Sequence, residues 1–324
     1  MRPLAFVIAA ALALTAVTGA AAETYPSHPV TMIVPYPAGG PTDTLARILA
    51  EHMKTSLGQP IIIENVSGAG GSIGVARVAR AAPDGYTLSI GHWNTHVVLG
   101  ATMNLSFDVL RDFEPIAMIA DTPIWMVARK DLPPKNLIEL IAWLKQQNGK
   151  ATAGTVGVGG ASDVTGAFFQ QVTGTEFQFV PYRGSAPLNQ DLVAGHIDLN
   201  LGMVAASYPL VESHQIKAYA MMTKARWHGA RDVPTMEEDG VPGLYATFWH
   251  ALWAPKGTPP EIIARLNGAV VAALADPTVR ERFADQGQDI PPRAQQTPEA
   301  LHAHQRAEIE KWWPIIKKAG IRSQ

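Results

Sequence analysis

The sequence predicts an α/β protein built as two domains. Apolar runs of about five residues alternate with amphipathic stretches, the pattern of strands and helices taken in turn. A strand, a glycine-rich turn and a helix recur in that order in both halves of the chain. With 324 residues, the chain also has the length of two ordinary domains.

The chain opens with "MRPLAFVIAAALALTAVTGAAAE", in which Arg2 precedes an apolar stretch from Leu4 to Val17, with small residues at Ala20 and Ala22. This is the pattern of an export signal over residues 1–22, cleaved near Ala22. A retained membrane anchor is the competing reading, but the apolar run is shorter than the roughly 20 residues a spanning helix needs. No later segment reaches that length, so the mature protein is expected in the periplasm and not embedded in a membrane.

"VTMIVPY" then reads as the first strand, and "PTDTLARILAEHMKTSLG" as a helix with Leu45, Ile48, Leu49, Met53 and Leu57 on one face and Gly58 as its stop. "PIIIENV" is a second strand, "GAGGSIGVARVARAAPDG" a glycine-opened helix, and "YTLSIGHW" a third strand. In "DFEPIAMIADTPIWMVARKDLP" two apolar runs flank Asp121, Thr122 and Pro123, as expected where a chain crosses between domains. "NLIELIAWLKQQNG" is a helix; "ATAGTVGVGGASDVTGAFFQQVTG" and "FQFVPYRGSAPLNQDLVAG" each read as strand, loop and helix; "HIDLNLGMV" and "IKAYAMMT" are strands. A strand, a Pro/Gly turn and one long helix follow in "ATFWHALWAPKGTPPEIIARLNGAVVAALADP", and "TPEALHAHQRAEIEKWWPIIKKAG" is the last helix.

Composition narrows the function. Lys and Arg number 26 against 28 Asp and Glu, a net charge of −2 with no long run of either sign, which argues against nucleic acid as a partner. There is no cysteine, so disulfides and thiolate chemistry are excluded.

The glycine turns carry the functional signal. In "PYPAGGPTD", Gly39 and Gly40 let the main chain approach a ligand, Pro41 suits a first helical turn, and Thr42 or Asp43 is placed to cap the helix. N–H groups at the positive end of a helix dipole favour an anion. One such turn by itself is more often a plain strand-to-helix connection. Yet "SGAGGS" (Ser67 to Ser72), "GVGGASD" (Gly157 to Asp163) and "YRGSAP" (Tyr182 to Pro187) repeat the arrangement, and loops at the C-terminal ends of strands converge on one crevice in open α/β sheets.

Nucleotide fingerprints fail, because Ile73 and Ser162 stand where the last glycine of G-x-G-x-x-G is needed. No G-x-S-x-G elbow occurs. His92 and His96 have the helical spacing of zinc ligands, but "GHWNTHVV" reads as a strand end and loop, with His92 lining the cleft and His96 structural. His302 and His304 point apart on a helix and are expected to be solvated. Asp43, Asp163 and Asp198 can be arranged as general bases, although capping or bracing of loops explains each more simply. No metal or cofactor is expected. Among the aromatics Tyr36, Trp93, Tyr182 and Trp249, Trp93 is the favoured ligand contact.

Together, "YPSHPVTMIVPYPAGGPTDTLARILAEHM", "LGQPIIIENVSGAGGSIGVARVARAAPDGYTLSIG", "PYRGSAPLNQDLVAGHID", "VPTMEEDGVPG" and "FWHALWAPKGTP" resemble the Bug or TctC family of periplasmic solute-binding proteins, from about Tyr25 to Ile321. The resemblance implies a type II periplasmic-binding fold, with one domain over residues 23–122 and 247–324, the other over 123–246, and a hinged cleft between them. It implies a receptor, not an enzyme, that captures a small organic carboxylate. That ligand would pass to a membrane permease of one large and one small subunit, and the receptor is expected as a monomer. The competing functions are a sensor partner of a two-component kinase and a periplasmic hydrolase or isomerase using Asp43 or His92 as base.

The ligand-binding set is Tyr36, Gly39, Gly40, Thr42, Asp43, His92, Trp93, Asn94, Thr95, Gly159, Gly160, Ala161, Ser162, Asp163, Arg183, Ser185 and Met203. Where many relatives have serine and histidine, this chain has Gly160 and Asp163, and Gly202 replaces a common aspartate. The missing aspartate argues against an amino-acid ligand whose ammonium would need it. The bulky "GHWNTH" points to a carboxylate with an apolar or aromatic body.

Overall fold

Strands β1 (Val30–Val34), β2 (Ile61–Asn65) and β3 (Thr87–His92) pair in parallel in the order β2-β1-β3, as the first set of apolar runs predicts. The computed structural model describes residues 25–322, so the export signal and its cleavage point lie outside the described residues. Helix α1 (Pro41–Leu57) buries Leu45, Ile48, Leu49, Met53 and Leu57, the face its periodicity indicates. Helix α2 (Ser72–Ala79) is shorter than its sequence pattern, because a 3₁₀ turn at Ala69–Gly71 takes up the glycines ahead of it.

The "GHWNTH" segment departs from expectation. Instead of a loop it forms a π-helical turn, Asn94–Val98, continued by α3 (Leu99–Thr102). The local bonds explain why: Thr95 Oγ1 accepts from the His92 N–H at 3.0 Å and donates to the His92 carbonyl. Single π turns of this kind often stand at functional sites.

Strand β4 (Phe113–Arg129) runs unbroken through Asp121, Thr122 and Pro123. Its first part pairs antiparallel with β9 (Thr247–Pro255), from Phe113 opposite Pro255 to Pro123 opposite Thr247. Beyond Pro123 the partners change to β7 (Leu199–Met203) and β8 (Ile216–Met221). Proline has no N–H for a ladder, and the switch falls where that donor is missing. With β5 (Thr152–Val156) and β6 (Gln178–Tyr182), the described strands follow the order β2-β1-β3-β9-β4-β7-β5-β6, with β8 on β4. One strand thus joins two α/β domains.

Around the second domain lie α4 (Leu137–Gln147), α5 (Ala161–Thr173), α6 (Ser185–Ala194) and α7 (Val204–Glu212). The expected long helix near the C-terminus is two, α8 (Pro260–Ala275) and α9 (Pro277–Asp285). Asp276 breaks it by accepting from the Thr278 and Val279 N–H groups. Helix α10 (Pro298–Lys318) starts at Thr297, whose side chain accepts from the Ala300 N–H. His302 is exposed as expected, but His304 is half-buried, its ring 5.0 Å from the core residue Trp249. Among the described residues no single helix is long and apolar enough to cross a membrane.

Two helical glycines differ sharply in surroundings. A Cβ on Gly74 of α2 would stand 2.6 Å from the Val66 carbonyl oxygen and 3.0 Å from Pro35 Cα, both main-chain atoms, whereas a Cβ on Gly268 of α8 meets nothing within 4 Å. Gly74→Ala is therefore expected to lower stability by about 1–3 kcal/mol, since backbone must shift to admit it. Gly268→Ala should raise stability by about 0.5–1 kcal/mol, through lower unfolded-state entropy and better helix propensity. Urea unfolding of the two variants measures both signs.

Candidate ligand-binding site

The turn from β1 to α1 is held by one carboxylate. Gly39 takes a left-handed φ of +81° and donates its N–H to Asp43 Oδ2 at 2.9 Å. Gly40, in extended conformation, is the residue before the helix, and no side chain caps α1. Thr42 and Asp43 were the expected caps; Asp43 instead reaches back past the helix start to Gly39. Its oxygens also accept from Arg47 Nε at 2.9 Å, Arg47 Nη2 at 3.0 Å and Asn65 Nδ2 at 2.9 Å. Burial opposes ionisation of Asp43, but the bonds from Arg47, the Gly39 amide and Asn65 prevail and hold its carboxyl down to about 2.

The turn from β5 to α5 repeats the device in the other domain. Gly159 has φ +72° and donates to Asp163 Oδ2 at 2.5 Å, Gly160 precedes the helix in extended conformation, and again no side chain caps it. The Ser162 hydroxyl is occupied, accepting from the Val156 N–H at 2.8 Å. Gly-Gly-x-Thr/Ser-Asp is thus the same structural unit at residues 39–43 and 159–163. The two aspartates differ in one respect: no cation bonds Asp163, and burial raises its pKa.

A third uncapped start belongs to α6, which follows Arg183 and Gly184. All three helix starts line one cavity of about 630 Å³. The loop Ser67–Ser72 contributes Gly70. The N–H groups of a helix start have no intrahelical partner and carry the positive end of its dipole, so this convergence favours an anion. Arg183 is the one formally charged side chain among the lining residues, and no carboxylate is among them.

A cluster of rings lines the cavity beside the α1 start. Tyr36 stacks on His92 with centroids 4.7 Å apart, Phe248 lies 4.4 Å from His92 in a tilted arrangement, and His250 completes the group. Thr42 Oγ1 is 3.2 Å from His250 Nε2. Desolvation lowers the pKa of His250 to about 3 and, with the neighbouring imidazoles His250 and His96, drives that of His92 well down, so both rings are neutral.

Tyr36, Gly39, Gly40, Thr42, His92, Asn94, Gly159, Gly160, Ala161, Ser162, Arg183, Ser185 and Met203 line this cavity. Four of the sequence candidates do not. Trp93, the favoured ligand contact, is fully buried against Trp312 and Phe248, because the π turn directs it into the core. Thr95 is fully buried and spends its hydroxyl on His92. Asp43 and Asp163 brace their turns from behind. The mutual bonding of Asp43 also leaves it unsuited to act as a base. His96 is structural, stacked on Trp253 at 3.6 Å.

Sequence reasoning missed Phe248, His250 and Asn200, which line the cavity. The signal was present in "FWHALW": side chains alternate along a strand, so Phe248 and His250 share the face opposite Trp249.

Asp43 gives a testable pH dependence. Its folded pKa is about 2 against an ordinary value of 3.8, so its contribution to stability is complete above the ordinary value and fades as pH falls toward 2. The stability difference between the wild type and Asp43→Asn, from urea unfolding, should be constant above roughly pH 5 and shrink steadily below pH 4.

Residues 45–321 match the family model described as "Tripartite tricarboxylate transporter family receptor". BugT of Bordetella pertussis is 35% identical over 303 residues, covering 93% of this chain and 92% of BugT. Among solved structures, MatC from Rhodopseudomonas palustris with bound malate superposes with a TM-score of 0.81 at 36% identity, over 90% of this chain and 100% of MatC. An R. palustris protein with adipate gives a TM-score of 0.82 at 34% identity, over 92% of this chain and 99% of its own. Two α/β domains, a shared cavity of helix starts and these likenesses together make the chain a member of the Bug/TctC family of periplasmic solute-binding receptors.

Proposed function

We propose that this receptor captures a small organic carboxylate with an apolar or aromatic body and hands it to a tripartite tricarboxylate-type permease of one large and one small membrane subunit. One observation carries the reading: three helix starts without side-chain caps meet in a cavity that holds no carboxylate of its own. Malate in MatC and adipate in the second R. palustris protein support the same ligand class. Neutral amides grip an anion without the desolvation cost of a buried cation. The ligand's carboxylate docks on the amides of Gly40 and Thr42 from one domain and of Ala161, Ser162 and Ser185 from the other. Gly39 and Gly159, which give their own N–H groups to aspartates, shape the turns instead. Its apolar body lies against Tyr36, Leu99, Ile124, Leu201, Met203 and Phe248.

The hinge lies at residues 122–123, inside β4, and 246–247, just ahead of β9, where the chain passes between domains of residues 23–122 with 247–324 and 123–246. Closure over the ligand is the signal the permease reads. The receptor acts in the periplasm as a monomer, after cleavage near Ala22, and returns its ligand unchanged.

Isothermal titration against small carboxylates and their primary amides tests the reading. Carboxylates should bind at least about tenfold more tightly than the matching amides. Gly39→Val, which forces a β-branched residue into a left-handed conformation, should weaken carboxylate binding by a similar factor. Equal affinity of carboxylate and amide, or of variant and wild type, contradicts it.

A further inference from the structure

Where the chain crosses between the domains, β4 and β9 form a ribbon with a cavity on each face. Ile124 of β4 and Phe248 and His250 of β9 line the ligand cavity, whereas Asp121 and Pro123 of β4 and Thr247 of β9 line a second cavity of about 450 Å³. The register sets Asp121 opposite Trp249, Thr122 opposite Phe248 and Pro123 opposite Thr247. Side chains alternate along a strand and directly paired residues share a face, so the two cavities lie on opposite faces of the ribbon. The rear cavity also spans the domains: one wall is the segment after β8, from Met222 to His228, and another includes Asp289, whose Oδ1 stands 3.4 Å from His228 Nδ1. Asp121 has a carboxyl oxygen, Oδ1, that is fully buried and has no partner. Burial, first, and then the charges of Asp289 and Glu308 push its pKa up to about 6, against bonds from Thr247 and the Thr122 backbone. Glu308, on α10, accepts from the Trp312 indole N–H at 2.9 Å and has His304 and Lys311 as charged neighbours. The cations lining the rear cavity are engaged elsewhere: Arg226 pairs with Glu238 at 2.8 Å, and Lys224 lies 5.5 Å over the ring of Tyr245, whose hydroxyl donates to Glu237. Any movement that admits water to the Asp121 carboxylate therefore favours its ionised form.

We propose that Asp121 makes ligand capture proton-sensitive, because closure over the ligand on one face of the ribbon parts the walls of the rear cavity on the other and hydrates this carboxyl. A ribbon with a cavity on each face cannot bend so as to narrow one without widening the other. The carboxyl then holds its proton more firmly in the free protein than in the closed complex, so protons compete with the ligand. Its pKa is about 6 in this structure against an ordinary 3.8, and affinity is therefore full above about pH 7 and falls as pH drops below 6. This inference rests on the carboxylate and closure reading above and adds to it a regulating group that lies outside the ligand cavity.

The probes are phenylacetate, adipate and malate, titrated calorimetrically at roughly pH 7.5 and pH 5 into the wild type and Asp121→Asn. Protonation of the probe itself weakens binding to both proteins alike, so the comparison isolates Asp121. Between those pH values the wild type should lose about three- to tenfold more affinity than the variant. At the higher pH, Asp121→Asn should bind more weakly than the wild type, since it never carries the charge that closure hydrates. Binding to the wild type at about pH 6 should release protons, read as a heat that depends on the ionisation enthalpy of the buffer, and the variant should release fewer. Asp289→Asn, which removes a like charge beside Asp121, should move the wild-type fall to lower pH; with the proton release it decides the matter should Asp121→Asn not melt cooperatively. Equal loss of affinity in the wild type and a folded Asp121→Asn, or no proton release by the wild type, overturns this inference and leaves the carboxylate reading intact. If no probe binds at either pH, both fall.

Discussion

Asp43 takes the N–H of Gly39 rather than those of its own helix, and Asp163 does the same with Gly159. An aspartate in the first turn ordinarily favours a cap, where it satisfies helix N–H groups. Turned backwards, each carboxylate fixes a left-handed glycine and leaves the helix start uncapped. The positive ends of α1 and α5 then face a cavity rather than their own side chains, an arrangement that favours an anion there. The unit recurs in both domains, so each brings one prepared half of the site.

What unites the halves is β4. It pairs with β9 on one side of Pro123 and with β7 and β8 on the other, so a single strand belongs to both sheets. Reciprocal bonds between Asp121 and Asp289, both 2.8 Å, and a hydrogen bond from Thr122 to Gln288 tie the segment after α9 to the same place. The crossing is therefore well bonded along its backbone on both sides of the point where β4 changes partners.

Much of this was legible in the sequence. The stripe Leu45, Ile48, Leu49, Met53 and Leu57 marks α1, and Gly39, Gly40, Gly159 and Gly160 mark the turns that line the cavity. The direction of the aspartates was not legible, because a Thr-Asp or Ser-Asp pair after Gly-Gly fits forward capping and backward bracing equally well. Trp93 was misread for a related reason: the π turn after β3 rotates successive side chains away from strand alternation, placing His92 on the cavity and Trp93 in the core. His250 is readable from its strand period, which sets it on the face opposite the inward-facing Trp249.

The central claim concerns particular amides, and amide resonances test it most directly. On titrating a bound carboxylate into ¹⁵N-labelled protein, the account predicts large downfield proton shifts at Thr42, Ala161 and Ser162, as charge-assisted bonds form there. Gly39 and Gly159, already bonded to aspartates, should move little. Shifts confined to the aromatic wall, with the helix starts unmoved, would contradict it.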